Sequence, residues 1–332
     1  MTNEYSRINN VCLLILASLA VTVALIYTKT ILVPFVFAVF FFATASPTIK
    51  ICQAKFRIPR LAAIILTFGL LILISGVLIS VIATSLTDFF NSADLYKTKI
   101  SLIIQKISEV AVNYGFNMDF TSIRASINEL PVFTWAKNLT GSLAGLLGNS
   151  ALILIFVLFL IMGEGDGEPK SALIREIMSK ISQYVVSKLA LSVLTGVLVG
   201  IILAVCGVEL AFMFAILTVL LNFIPSIGSM IATVLPLPVI LLQFGLGWQF
   251  FVVLLLSTII QFILGSVVEP KVMGEGMDLH PIAILLFLMF WGLVWGIPGM
   301  FLAVPITAIL KIILSRIKTT HGISELLAGR LS

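Results

Sequence analysis

The stretch Asn222–Ser229, NFIPSIGS, lies inside a long apolar run and decides how the chain can cross a membrane. Proline removes a backbone N–H and breaks a helix, and glycine adopts backbone conformations that a regular helix does not use. The interruption divides residues 210–243 into pieces of about 15 and 16 residues, each too short for a hydrocarbon core of about 30 Å. We therefore predict a helical hairpin that enters the bilayer from one side and turns back.

The composition indicates a polytopic membrane protein. Of 332 residues, 60% are hydrophobic and 11% are charged, and the mean hydropathy is +1.19. The net charge of +5 does not indicate nucleic-acid binding, because the basic residues lie in short loops between apolar runs, where they set topology. Three widely spaced cysteines without a CxxC pair indicate neither a disulfide framework nor a metal site. We expect the lipid bilayer as a partner, and no cofactor.

Six apolar runs are long enough to cross the bilayer completely. They cover about residues 11–27, 30–47, 61–86, 143–162, 190–208 and 248–268. The loop at 49–60 carries basic residues and no acidic one, which places it and both chain termini in the cytoplasm. The turn at Thr28 and Lys29 then faces outward.

A second interrupted run, Ile282–Leu314, is broken at Gly296–Gly299 and predicts a second hairpin. The fold class is therefore an all-α polytopic membrane protein with about six full transmembrane helices and two Gly/Pro-broken hairpins, eight to ten hydrophobic segments in all. The first hairpin would dip from outside and the second from inside. The alternative is that each broken piece spans fully, giving ten crossings.

The runs divide the chain into five parts. Residues 1–87 hold the first three transmembrane helices, and 88–142 form a small helical extramembrane domain on the periplasmic side. Residues 143–189 hold a transmembrane helix and a cytoplasmic amphipathic helix, 190–314 form the transport core, and 315–332 form a cytoplasmic tail. The extramembrane domain either supports assembly or captures substrate, and the amphipathic helix either anchors or regulates.

Small residues recur at every fourth position of the fifth span. Such a face lets another helix approach closely, in the same chain or in a neighbouring subunit. The residues are Ser192, Gly196, Gly200 and Ala204.

Polar side chains surround the first interruption. Asn222 can donate and accept hydrogen bonds at once. It either binds substrate or a cation together with the hydroxyls of Ser226 and Ser229 and freed carbonyls near Pro225, or it satisfies backbone groups that the proline leaves unpaired.

The span 248–268 carries one polar and small stripe, formed by Thr258, Gln261, Gly265 and Glu269. Such a stripe on an apolar helix faces a bundle interior or a cavity. Glu269 and Lys271 would pair with each other or with the second hairpin, either as a functional charge or as an ion pair that positions a helix end.

These observations define a candidate substrate or ion pathway and no catalytic set. Walker, HExxH and GxSxG motifs are absent from the sequence, so we predict neither an enzyme nor ATP-driven transport. The pathway residues are Asn222, Pro225, Ser226, Gly228, Ser229, Gln261, Glu269, Lys271, Asp278, Gly296, Pro298 and Gly299.

Three segments resemble the AI-2E, or autoinducer-2 exporter-like, family of bacterial inner-membrane proteins. They are LNFIPSIGS (Leu221–Ser229), VEPKVMGEGMDLHP (Val268–Pro281) and FWGLVWGIPGMFLAVP (Phe290–Pro305). The segment SQYVVSKLALSVLTG (Ser182–Gly196), with Tyr184 and Lys188, resembles the centre of that family. The resemblance covers nearly the whole chain.

The resemblance implies a small-molecule transporter of the inner membrane. Some members are associated with export of the quorum-sensing molecule autoinducer-2, and others resemble sodium or lithium/proton antiporters. Members are thought to form homo-oligomers, with pentamers among the expected assemblies.

Three functional hypotheses follow. The first is a secondary or facilitative transporter that exports a small polar solute, such as an autoinducer-2-like molecule or a related metabolite. The second is a sodium or lithium/proton antiporter that uses Glu269 or Asp278 as its proton-coupled carboxylate. The third, from another class, is a membrane scaffold or sensor that does not transport.

Overall fold

The computed structural model describes residues 2–57, 150–163, 171–273, 279–317 and 320–330, together with scattered positions between 59 and 105. These residues form helices and connections, and no strand occurs among them. The helices are α1 (Thr2–Tyr27), α2 (Lys29–Phe56), α3 (Ser150–Gly163), α4 (Ala172–Val205), α5 (Ala211–Leu221), α6 (Ile227–Val234), α7 (Leu237–Phe244), α8 (Trp248–Phe262), α9 (Glu269–Met273), α10 (Pro281–Trp295), α11 (Ile297–Ser315) and α12 (His321–Leu327). A π-helical segment, Ile263–Val268, joins α8 to α9.

Four helices in the described part of the chain are long and apolar enough to cross a membrane. They are Ala172–Val205, Ile227–Phe244, Trp248–Val272 and Ile297–Ser315. The second combines α6 with α7, and the third combines α8, the π-helical segment and most of α9. This supports a polytopic membrane protein. The predicted span 61–86 is described in part, at residues 62–70 and at scattered later positions, whereas nearly all of the predicted extramembrane domain 88–142 lies outside the described residues.

The first two predicted spans meet differently from expectation. In place of an antiparallel pair, α1 and α2 bend by 87° at Thr28, so that together they form either one broken span or a re-entrant segment. The Thr28 N–H donates to the carbonyl of Ala24 at 2.9 Å, and the Thr28 carbonyl accepts from Ile31 and Leu32. Thr28 therefore ends the hydrogen bonding of α1 and begins that of α2.

The predicted amphipathic helix at 169–189 and the span at 190–208 are one helix, α4, of 34 residues. No proline or glycine interrupts it before Gly196, so nothing in the sequence ends the helix at the expected boundary. Its buried face runs through Ile181, Lys188, Val199 and Leu203.

Both interrupted runs break where the sequence predicts, but their arms are unequal. The first arms, α5 and α10, have 11 and 15 residues, whereas the second arms reach 18 and 19 residues. At about 1.5 Å per residue, only the second arms approach the length of a span. The expectation that neither piece of an interrupted run can cross was therefore wrong for Ile227–Phe244 and Ile297–Ser315.

The described helices belong to two compact units. One comprises Met1–Arg60, Asn149–Val186 and Met273–Ser332 and contains the second hairpin, α10 and α11. The other comprises Leu61–Gly148 and Ser187–Val272 and contains the first hairpin, α5 and α6, with α7 and α8. We call the second of these the transport unit, after the predicted transport core (190–314), part of which it contains.

An apolar core holds the transport unit together. Helices α4, α5, α7 and α8 all contribute to it, with fully or nearly fully buried side chains: Val199, Leu203, Cys206, Val208, Met213, Phe214, Val239, Ile240 and Val253. In a bilayer the alternative to these contacts is lipid, so close packing between the side chains, rather than removal from water, holds the helices together. Inside this core, α4 and α8 run beside the first hairpin and position the polar groups described below.

Candidate functional site

The interruption at Asn222–Ser229 is a tight, strained turn. Ser226 has φ 59° and ψ −54°, and the Ile227 N–H donates to the Pro225 carbonyl at 2.6 Å. These features define a classic γ-turn, a rare conformation for a residue with a side chain. The Ser226 side chain is exposed.

Glycine at 228 brings the second arm against the first. A Cβ added to Gly228 would overlap the Leu221 carbonyl group, with the carbonyl carbon 2.7 Å away, and would lie 3.1 Å from the Ile224 Cβ. No real side chain fits at that distance, so only glycine allows the close approach. The next residue, Ser229, is thereby placed within hydrogen-bonding distance of the Asn222 side chain.

The Asn222 side chain joins three segments of the transport unit. Its Nδ2 donates to Ser192 Oγ of α4 at 3.4 Å, and its Oδ1 accepts from Ser229 Oγ of α6 at 3.2 Å. Asn222 is 3% exposed and Ser192 is fully buried. Within the turn, the N–H groups of Ile224 and Gly228 are satisfied by backbone carbonyls. The hydrogen bonds of the Asn222 amide therefore go to side chains, whereas the turn satisfies its own backbone.

A buried ion pair lies in the same unit. Lys188 Nζ of α4 is 2.5 Å from Glu269 Oε1 at the start of α9. Lys188 is 1% exposed, and the Glu269 side chain is 19% exposed. We expected Glu269 to pair with Lys271 or with the second hairpin; the structure pairs it with Lys188 instead, while Lys271 is exposed. A lysine buried this deeply needs an opposite charge, because an unpaired buried charge is costly.

Lys188 is the main residue that the sequence reasoning did not assign to the site. It was recognised only within the segment resembling the family. A single lysine between the apolar stretches of α4 was the available signal, since an ionisable residue in such a segment is a functional candidate.

The polar stripe of α8 is shifted by one residue from the prediction. Thr258 is exposed, and its hydroxyl donates to the Leu254 carbonyl at 2.6 Å. The buried face carries Ser257 and Gln261, which are 0% and 8% exposed. Helical periodicity admits both residues, since steps of three and four back from Gln261 keep to one face. The packing of α8 selects Ser257.

This stripe continues toward Asn222 and its partners Ser192 and Ser229, which we call the Asn222 cluster. A Cβ on Gly265 would lie 4.0 Å from Ser229 Oγ, which places this part of the helix beside the second arm of the first hairpin. Gly265 lies within the π-helical segment that separates Gln261 from Glu269. Short π-helical stretches occur frequently at functional sites.

Glycines of α4 permit close packing on the first hairpin. A Cβ on Gly196 would lie 2.8 Å from the Ala215 carbonyl oxygen, and one on Gly200 would lie 2.7 Å from the Ala215 Cβ. Helices α4 and α5 therefore approach one another directly over these two residues. Ala204 is exposed and Ser192 faces Asn222.

The second hairpin also has glycines at its bend and at the point where its two arms approach closely. Gly296 alone connects α10 to α11, with φ 70°, and Pro298 lies in the first turn of α11. A Cβ on Gly299 would lie 2.7 Å from the Trp291 carbonyl carbon and 2.9 Å from the Trp295 Cβ. Trp295 Nε1 donates to the Leu25 carbonyl of α1 at 3.0 Å.

Asp278 is the one polar residue of the predicted pathway that has not yet been considered. Asp278 lies outside the described residues. His280 caps α10, since its Nδ1 accepts from the Ile282 N–H at 3.3 Å and its own N–H donates to the Leu327 carbonyl at 2.9 Å.

Known proteins provide an independent comparison. Residues 13–319 match the model of the AI-2E family transporters. The chain is 27% identical over 313 residues to the AI-2 transport protein TqsA of Escherichia coli strain K12, covering 91% of this chain and 90% of that protein. It is 31% identical over 304 residues to a putative transport protein of Haemophilus influenzae, covering 86% of each.

A third relative, the putative transport protein YhhT of Escherichia coli strain K12, is 27% identical over 326 residues, covering 95% of this chain and 92% of that protein. The family match extends over every helix from α2 to α11, which confirms the resemblance seen in the short segments. The chain belongs to the AI-2E family of membrane transporters.

Proposed function

We propose that this protein is a secondary or facilitative transporter that exports a small polar solute through the transport unit. The observation that carries the proposal is the Asn222 cluster, in which one buried carboxamide contacts hydroxyls on α4 and α6. Polar groups are costly to bury in a membrane protein and are retained mainly where a function needs them. The two hydrogen bonds are 3.4 and 3.2 Å long, so a solute hydroxyl could replace either at small cost.

The first hairpin supplies the moving part in this proposal. The γ-turn at Ser226 stores strain, and the long hydrogen bonds of Asn222 tie the turn only weakly to α4. Displacing the second arm would separate Ser229 from Asn222 and expose the carboxamide to solute. The second hairpin, with its similar glycine geometry, would act as a second gate.

The solute that we propose is autoinducer-2 or a related small metabolite. Support comes from the relative named as an AI-2 transport protein, which matches over nearly its full length. We place the protein in the bacterial inner membrane with cytoplasmic termini, and we expect a homo-oligomer.

Accumulation of autoinducer-2 in everted inner-membrane vesicles tests this proposal, because export from the cell becomes uptake there. We expect Asn222→Ala to lower the initial rate about tenfold or more, equivalent to at least about 1.4 kcal/mol of transition-state interaction. The matched control is Thr218→Val, one turn earlier on α5, since the Thr218 hydroxyl donates only to the Phe214 carbonyl of its own helix. Wild-type transport by folded Asn222→Ala would contradict the site.

A second candidate is a sodium or lithium/proton antiporter. The observation in its favour is the Lys188–Glu269 pair, because a carboxylate that alternates between a lysine and a bound cation or proton could couple their movements. Sodium-dependent collapse of a pH gradient in sealed vesicles would reveal this activity. We expect it to disappear in Glu269→Gln and to persist in Lys271→Gln, whose side chain is exposed; persistence in Glu269→Gln would rule out this carboxylate.

A further inference from the structure

We propose that Ser257 and Gln261 form a binding station for an uncharged, hydrogen-bonding solute. The two residues lie one turn apart on the buried face of α8 and are 0% and 8% exposed. Ser257 Oγ, Gln261 Oε1 and Gln261 Nε2 are buried and have no hydrogen-bond partner among the described residues. The inference rests on the proposed transport function for the source of the solute, and its test does not require transport.

The buried threonines that the structure describes in the transport unit are satisfied locally. Thr195 donates to the Leu191 carbonyl at 2.7 Å, and Thr218 donates to the Phe214 carbonyl at 2.7 Å. This bond to the preceding turn is the ordinary solution for a hydroxyl on an apolar helix. Ser257 does not use it. An unsatisfied hydroxyl beside an unsatisfied carboxamide lowers stability, because both polar groups are buried without a hydrogen bond. Alanine at 257 and leucine at 261 would avoid this cost.

The chemistry of the station selects by charge. A carboxamide presents an acceptor and a donor, and a hydroxyl presents both, but neither carries a charge. Lys188 is the one charged residue in the buried set of the described chain, and Glu269 neutralises it. A solute with hydroxyl, carbonyl or amide groups would satisfy the three free atoms. A carboxylate or phosphate would enter without a counter-charge and is excluded.

Two neighbouring features give the solute a way in. The π-helical segment begins at Ile263, two residues after Gln261, so the helix is already irregular at this point. The second arm of the first hairpin packs against α8 and meets Gly265 through Ser229. Movement of that arm would uncover the face that carries Ser257 and Gln261.

Substituted-cysteine modification of the full-length chain in membrane vesicles tests the station. In a background with Cys12, Cys52 and Cys206 replaced by serine, Ser257→Cys is treated with neutral 2-hydroxyethyl methanethiosulfonate or anionic 2-sulfonatoethyl methanethiosulfonate. The control is Val253→Cys, one turn earlier on the same face and fully buried in the apolar core. Gln261→Cys provides a second reporter if Ser257→Cys does not fold.

We expect the neutral reagent to modify Ser257→Cys about tenfold or more faster than the anionic reagent, and about tenfold or more faster than it modifies Val253→Cys. Equal, negligible modification at 253 and 257 would overturn the station. Equal rates with both reagents at 257 would overturn its selectivity for uncharged solutes, and fast modification at both positions would show general loosening and also overturn it. Because the reagents report access alone, these results are separable from a failure of autoinducer-2 transport.

Discussion

Lys188 and Glu269 form a buried ion pair between residues 81 positions apart in the sequence, with Nζ 2.5 Å from Oε1. The pair joins the middle of α4 to the start of α9. The π-helical segment lies between this start and the end of α8. It therefore fixes the end of the polar stripe relative to the helix that carries Ser192. Two contacts, one ionic and one through Asn222, hold α4 to the remainder of the polar site.

Removing one partner of this pair should destabilise the protein more than removing both. Glu269→Gln leaves the Lys188 charge buried without compensation, which costs about 3–5 kcal/mol in comparable buried pairs. The double variant Lys188→Met with Glu269→Gln removes the charge and should recover most of that loss. Thermal unfolding of the purified protein in detergent measures the difference. A double variant less stable than Glu269→Gln would contradict the pairing.

Gly228→Ala should disrupt the first hairpin, because its Cβ would overlap the Leu221 carbonyl group. We expect a loss of more than about 3 kcal/mol, in the range of severe packing changes, or failure to fold. Gly163→Ala is the control, since a Cβ at Gly163 meets no atom within 4 Å. The control should stay within about 0.5 kcal/mol of the parent protein. Similar melting temperatures for the two variants would show that the close approach is not required.

Ser226→Gly should stabilise the turn, since glycine adopts a positive φ without the strain that a side chain causes. The relief, reduced by the greater chain entropy of glycine, should leave a gain of about 1 kcal/mol. Ser226→Ala keeps the strain and should give no gain. Melting temperatures of the three proteins measure this effect, and a gain for alanine equal to that for glycine would place its origin elsewhere.

Gln261→Leu should lower transport without lowering stability. Removing an unsatisfied buried carboxamide should leave the free energy of unfolding unchanged or raise it by up to about 1–3 kcal/mol. The melting temperature should accordingly stay the same or rise. Vesicle uptake should fall, because the stripe loses its donor and acceptor. Ser257→Ala should behave in the same way. Decreased stability with unchanged uptake would assign Gln261 a structural role.

Sequence reasoning located the helix breaks well because proline and glycine act on the backbone locally. Helix α5 ends at Leu221 and α6 begins at Ile227, as NFIPSIGS predicts. At the second break, only Gly296 connects the helices. Gly299 lies within α11, where its lack of a side chain allows close approach to Trp291. The sequence pattern does not distinguish a glycine needed for packing from a glycine needed for a turn.

The sequence does not predict which polar residues pair with one another. Spacing along one helix made Lys271 the natural partner of Glu269, two residues away, whereas the real partner is brought in by the packing of α4. The same limit explains Ser257. An ideal step of three or four residues from Gln261 admits both Ser257 and Thr258, and only the packing of the helix selects the first.

The central claim, that this chain alone moves a small polar solute through its buried polar site, is tested most directly by reconstitution. Purified protein in liposomes should accumulate autoinducer-2 faster than protein-free liposomes, with the activity retained in Thr218→Val and lost in Asn222→Ala. Autoinducer-2 entry at the protein-free rate in all three proteins would contradict transport of this solute, and equal activity in all three would contradict the site.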